Sequence, residues 1–111
     1  MSITTTEYKR CHLVKMDGRI DSSNGDELLK VFQVLNDKGH YKIVFDMAKV
    51  DFMSSKGWWV LVETQKACKR YNRGELVLTN VQEKILSSLD LIGMSHYFKL
   101  FDDSVSAVGH F

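Results

Sequence analysis

Ile43-Val44-Phe45-Asp46-Met47 opens a segment that runs on through Val50-Asp51-Phe52-Met53-Ser54-Ser55-Lys56-Gly57. Its first three residues form a short, β-branched apolar run within Tyr41 to Met47, which suits a strand buried on both faces of a parallel sheet. Ser54 or Ser55 then offers a helix N-cap, and helical spacing continues to about Asn72, with Gly74 beyond the end. At about 100° per residue, and with Gly57 at zero, Val60, Leu61, Thr64, Ala67, Cys68 and Tyr71 share a sector roughly 120° wide. That stripe is the expected core face. Ser55, Trp59 and Val62 fall on the far side, with Trp58 between the two.

The same pattern extends in both directions. Toward the N-terminus, an extended stretch near Ile3 to Lys9 and a strand from Cys11 to Met16, turning at Asp17-Gly18, suggest an antiparallel pair. Leu28, Val31, Phe32 and Leu35 then mark a first helix that stops at Lys38-Gly39. Toward the C-terminus comes a strand from Glu75 to Thr79. Asn80 and Glu83 stand in capping-box register before a helix carrying Val81, Ile85, Leu89 and Ile92, which Gly93 ends. Tyr97 to Phe101 reads as a last short strand, and Ser104 to His110 as a terminal helical turn or two. Strands alternating with helices predict an α/β fold with a mainly parallel sheet and right-handed crossovers.

The chain has 111 residues, 44% of them hydrophobic and 26% charged, so residues 1–111 are expected to form one domain with one core. Fifteen Lys and Arg face 14 Asp and Glu, a net charge of +1 in interleaved order, which argues against direct nucleic-acid binding or an anionic membrane. The modest cluster Lys66, Lys69, Arg70 and Arg73 reads as a solvated helix face and end. No apolar run approaches a membrane span and the polar N-terminus lacks a signal core, so a cytoplasmic location is expected. Cys11 and Cys68 read as free reduced thiols. The scattered histidines His12, His40, His96 and His110 give no metal-ligand spacing, and neither a metal nor a cofactor is expected.

The informative residues cluster at the second helix. Ser55 and Trp59 lie one turn apart, and exposed aromatics are enriched at protein interfaces. Trp59, Val62 and part of Trp58 would form a partner-binding patch around Ser55. A helix start also favours an anion through its free N–H groups and dipole. Two serines in succession let one cap the helix and leave the other hydroxyl free. No Ser-His-Asp or Cys-His arrangement, Walker A sequence or Gly-x-Gly-x-x-Gly motif is present, so the chain is not expected to be an enzyme. Asp21 and Asp51 suit turns and caps, with Asp46 a candidate site residue.

Taken together, Ile43 to Met47 and Val50 to Gly57 resemble the signature of STAS domains, and more closely the single-domain anti-sigma factor antagonists of bacteria. Gly18-Arg19-Ile20-Asp21 resembles the family's early Gly-x-Leu/Ile-Asp turn, Gly74-Glu75-Leu76-Val77-Leu78 its fourth strand, and Leu89 to Phe101 its closing segment. The resemblance implies a mixed, mainly parallel sheet of four to five strands with helices mostly on one face. It also implies that Ser55 is phosphorylated by an anti-sigma factor that is itself a serine kinase, that the unphosphorylated form binds this kinase, and that a PP2C-type serine phosphatase resets the switch. Asp21, Asp46, Ser54, Lys56, Trp58, Trp59 and Val62 are the corresponding partner-binding candidates. Lys56 stands where the family is usually small, and Trp58 and Trp59 where it usually has Leu followed by Gly or Arg. The alternative is a STAS-type scaffold, or a constitutive subunit of a larger regulatory or transport complex, with no phosphorylation.

Overall fold

The computed structural model describes residues 2–94 and 96–111. In chain order they form β1 (Ile3–Glu7), β2 (His12–Met16), β3 (Gly18–Ile20), α1 (Gly25–Asp37), β4 (Lys42–Asp46), β5 (Val50–Met53), α2 (Ser55–Lys69), a 3-10 turn (Arg70–Asn72), β6 (Glu75–Thr79), α3 (Glu83–Leu91), β7 (Leu100–Phe101) and α4 (Ser104–His110). Five strands make one sheet in the order β1-β2-β4-β6-β7, with β1 antiparallel to β2 and the rest parallel. The parallel strands follow one another across the sheet in chain order, so right-handed crossovers carry α1, α2 and α3 to the same face. The other face is covered by α4.

Strand periodicity divides the core between these faces. Val14, Met16, Ile43, Phe45, Leu76 and Leu78 point toward α1–α3, where Leu28, Phe32, Val60, Leu61 and Leu89 meet them. Leu13, Val44 and Val77 point the other way, against Ala107 of α4 and the flanking Phe101 and Phe111. The Ile43-Val44-Phe45 run is continuously apolar because both sides of β4 are covered. No helix among the described residues is long and apolar enough to cross a membrane.

Several local expectations are corrected. Gly18 to Ile20 is more than a turn: after Gly18, whose φ of +84° lets the chain pivot, it forms β3, which pairs in parallel with β5 as a separate two-stranded sheet. Asn80 does not cap α3. It adopts a left-handed φ of +56°, its side chain turns to Asp46, and the helix begins after Gln82. Ile92 lies past the last turn and is exposed. Tyr71 leaves the core stripe because α2 ends at Lys69; at φ +59° it swings out to 84% exposure. The last strand keeps only Leu100 and Phe101, because Phe98 is buried beside Trp58 and the Tyr97 carbonyl turns to Gln65.

Gln65 went unnoticed in the sequence because it interrupts an apolar stripe with a polar side chain. It is fully buried. Pairing between β6 and β7 begins only at Leu78, leaving the backbone of Leu76 without a strand partner on that side. Gln65 substitutes for one: its amide donates to the carbonyls of Leu76 and Tyr97 at 3.0 and 3.2 Å and accepts from the Leu76 N–H at 2.7 Å. Buried backbone groups need such partners, so Gln65 joins α2 to the sheet and to the closing loop.

Candidate functional site

The start of α2 is built on the β3–β5 pair. The Ser54 N–H donates to the Ile20 carbonyl at 2.9 Å, which fixes where the helix begins and sets Asp21 beside it. Gly57 is buried, and a Cβ there would collide with the Met53 sulfur and come within 2.9 Å of Ile20 Cγ2. The glycine therefore allows the first turn of α2 to lie directly on β3 and β5. Ser54 is the N-cap, with extended backbone and its hydroxyl accepting from the Gly57 N–H at 3.4 Å.

The two serines thus divide their tasks. Ser54 is half-buried and caps; Ser55 is the first helical residue and is exposed. Among the described residues no side chain or backbone group bonds to the Ser55 hydroxyl. One turn on, Trp59 is 47% exposed. The Lys56 ammonium lies 4.4 Å from the Trp59 ring centre and 2.7 Å from the Asp26 carboxylate in the first turn of α1. The Lys56 stem also crosses Gly25, where any Cβ would meet it, so α1 and α2 clasp each other at this end.

The remaining candidates separate. Trp58 is 4% exposed and does not belong to the surface patch: its indole N–H donates to Ser88 at 3.2 Å and its ring packs near Phe98, docking α3 onto α2. Val62 is half-buried and packs on the main core rather than standing free beside Ser55. Asp46 shares a strand face with Val44, two residues away, and so points toward α4 and away from α2. There its carboxylate accepts from the Ala48 N–H at 3.0 Å, Asn80 at 3.1 Å and Ser104 at 3.0 Å. Burial alone would raise this carboxyl, but those bonds, with Lys15 at 3.9 Å, hold it below the usual carboxylate range. Asp46 is a structural tie between β4, β6 and α4. Asp21 shapes the turn into α1: it accepts from Ser23, and chiefly that hydroxyl lowers its pKa, with Arg19 nearby at 3.7 Å.

Phe52 extends the surface and was missed in the sequence, where it reads as a lead-in to the helix. It lies on β5 opposite Arg19 of β3, is 38% exposed, and carries the Arg19 guanidinium 4.0 Å above its ring. Its signal is a large aromatic beside Asp51 on a short strand. On the other side of Trp59, a groove of about 250 Å³ runs between α1 and α2 past Leu29, Gln33 and Glu63. The site is therefore an exposed hydroxyl at a helix N-terminus, one turn before the Trp59 ring with its Lys56 cation and three residues after Phe52 with its Arg19 cation.

The sequence profile of the STAS domain matches residues 2–107. The chain belongs to the STAS domain family. An anti-sigma-B factor antagonist of Staphylococcus epidermidis is 28% identical over 94 residues, spanning 85% of this STAS chain and 86% of that protein. The crystal structure of an anti-sigma factor antagonist from Mycobacterium paratuberculosis superposes with a TM-score of 0.87 at 17% identity, covering 98% of this chain and 92% of that one. The anti-sigma factor antagonist SpoIIAA in its unphosphorylated form gives 0.82 at 12% identity, with 98% and 95% covered. The phosphorylated form of SpoIIAA, from Bacillus, gives 0.77 at 13% identity, with 98% of both chains covered. These superpositions establish the STAS fold, with its mostly parallel sheet, for this chain.

Proposed function

We propose that this STAS domain is an anti-sigma factor antagonist that binds an anti-sigma factor serine kinase through Ser55, Lys56 and Trp59, with Asp21 and Ser54 at the rim. Phosphorylation of Ser55 switches it off, and a PP2C-type serine phosphatase switches it back on. It acts in the cytoplasm by occupying a protein surface rather than by catalysis. The names of its relatives support the class, and SpoIIAA has been solved with and without phosphate. The observation that carries the residue assignment is the contrast between the serines: Ser54 is consumed by capping, while the Ser55 hydroxyl has no partner among the described residues and lies one turn from an exposed tryptophan.

The chemistry of the switch follows from charge. A phosphoryl group on Ser55 adds about −1.5 to −2 charges. In the free chain the helix N-terminus offsets this by about 1 kcal/mol. Lys56 adds attraction only by loosening its hold on Asp26, since one ammonium would then serve two anions. Against a partner surface, the same group must shed its hydration and costs on the order of several kcal/mol. At about 1.4 kcal/mol per tenfold change, that releases a partner.

The test is incubation with the cognate serine kinase and ATP, followed by peptide mass spectrometry. One phosphate on Ser55 is expected, with Ser54 unmodified. Phosphate on another residue, or none on a chain whose Ser55 is intact, would overturn the assignment.

A further inference from the structure

At the end of the sheet opposite the α2 start, the turn between β1 and β2 and the loop before β4 border an open basin of about 470 Å³. Its charged side chains are Lys9, Arg10, Lys42 and Arg73 against Glu7, a net +3, with Phe111 also in the lining. The whole chain carries +1, so the remainder carries −2 and positive charge is concentrated here. Arg73 is held rigidly: its guanidinium donates to the Tyr41 hydroxyl at 2.8 Å and to the carbonyls of Ala67 and Arg70 at 2.7 and 3.0 Å. Among the described residues, Lys9, Arg10 and Lys42 have no carboxylate within ion-pair distance.

His12 lies in the wall of this basin with only 8% of its surface exposed. Its ring faces that of His40, with centroids 4.1 Å apart and planes inclined at 31°. Neither imidazole has a hydrogen-bond partner among the described residues, and no unpartnered nitrogen is sealed off from the basin. Ring nitrogens that open onto a basin lined by Lys9, Arg10, Lys42 and Arg73, with no protein partner among the described residues, are free to bond an anionic acceptor.

We infer that this basin is a second binding site, for a compact, soluble, multiply charged oxyanion of the phosphate class. The size fits a small ligand. The two imidazoles also favour one, because their ring nitrogens add directional hydrogen bonds to a compact oxyanion beyond the charge attraction that an acidic protein surface or a membrane would share. Burial lowers the pKa of His12, and His40 and Lys38 act in the same direction against Glu7. A bound dianion reverses that balance by attracting a proton to His12, so the ligand binds more tightly as pH falls. The site is independent of Ser55.

Calorimetric titration of the full chain with inorganic pyrophosphate tests this at low salt. Saturable one-to-one binding is expected, tighter by about threefold or more at about pH 6 than at about pH 8. The doubly reversed variant Lys9→Glu with Arg10→Glu should bind at least about tenfold more weakly while keeping the wild-type melting temperature. His12→Gln should flatten the pH dependence, and Ser55→Ala should bind like wild type. Amide resonances of His12, His40 and Lys42 should shift on titration, and those of Ser54 to Trp59 should not. Absence of saturable pyrophosphate binding overturns the inference. So does wild-type affinity in the reversed variant, or capture of phosphatidylglycerol vesicles or an acidic peptide by a chain that ignores pyrophosphate.

Discussion

Trp59→Ala separates binding from folding, because the two adjacent tryptophans have opposite environments. Trp59 is 47% exposed, whereas Trp58 is 4% exposed. A buried tryptophan removes up to about 250 Å² from water, so covering the free half of Trp59 in a complex hides about 120 Å² more. At about 25 cal/mol per Å² this contributes about 3 kcal/mol, or roughly a hundredfold in affinity. In the free chain, alanine forfeits the Lys56 stack, about 0.5–1 kcal/mol, and part of a half-buried contact. The melting temperature should therefore fall by only a few degrees. Trp58→Ala removes the ring that joins α2 to α3 and should cost about 3–5 kcal/mol of stability. Titration of each variant against the cognate anti-sigma factor, alongside circular-dichroism melts, reads both quantities. Binding by Trp59→Ala within about threefold of wild type, or a wild-type melting temperature in Trp58→Ala, would refute this division of roles.

Three further substitutions probe the supports of this surface. Gln65→Leu leaves the Leu76 N–H and the Leu76 and Tyr97 carbonyls without partners, and should lower unfolding free energy by about 3–5 kcal/mol; an unchanged urea midpoint would contradict that role. The Asp46 carboxyl has a depressed pKa in the folded chain, so its stabilisation is complete above the unfolded value of about 3.9 and is lost as pH falls through the folded value. Asp46→Asn should be less stable than wild type at neutral pH, with the difference shrinking in acid below about pH 4; parallel stability profiles would exclude the mechanism. Gly57→Ala forces a methyl group toward Met53 and Ile20 and should cost about 1–2 kcal/mol despite alanine's better helix propensity. A higher melting temperature in that variant would show that the first turn has room.

The fold was legible where hydrophobic period and element length agreed. Ile43-Val44-Phe45 announced a strand covered on both faces, and the α2 stripe from Val60 to Cys68 announced the surface that packs on it. Legibility failed where one side chain took on a distant task. Asn80 has the composition of an N-cap but serves Asp46, 34 residues earlier. Gln65 looks like a solvent-facing residue until the short β7 leaves Leu76 in need of a partner. Trp58 and Trp59 are neighbours in sequence and differ by about 100° on the helix, enough to place one under α3 and the other in solvent. Capping chemistry announced that one serine caps and one is free, but left their order open until the helix start was placed at Ser54. The aromatic at Phe52 was not, because its exposure depends on the β3–β5 pairing.

If the Ser55 hydroxyl is the switch, a phosphate there must change affinity for the partner. The most direct measurement compares the affinity of the unphosphorylated chain and of the chain phosphorylated on Ser55 for the same anti-sigma factor kinase. The phosphorylated chain should bind at least about a hundredfold more weakly, with Ser55→Ala matching the unphosphorylated form and Ser55→Asp falling between them. Equal affinities for the two forms, with the fold intact in both, would contradict the switch.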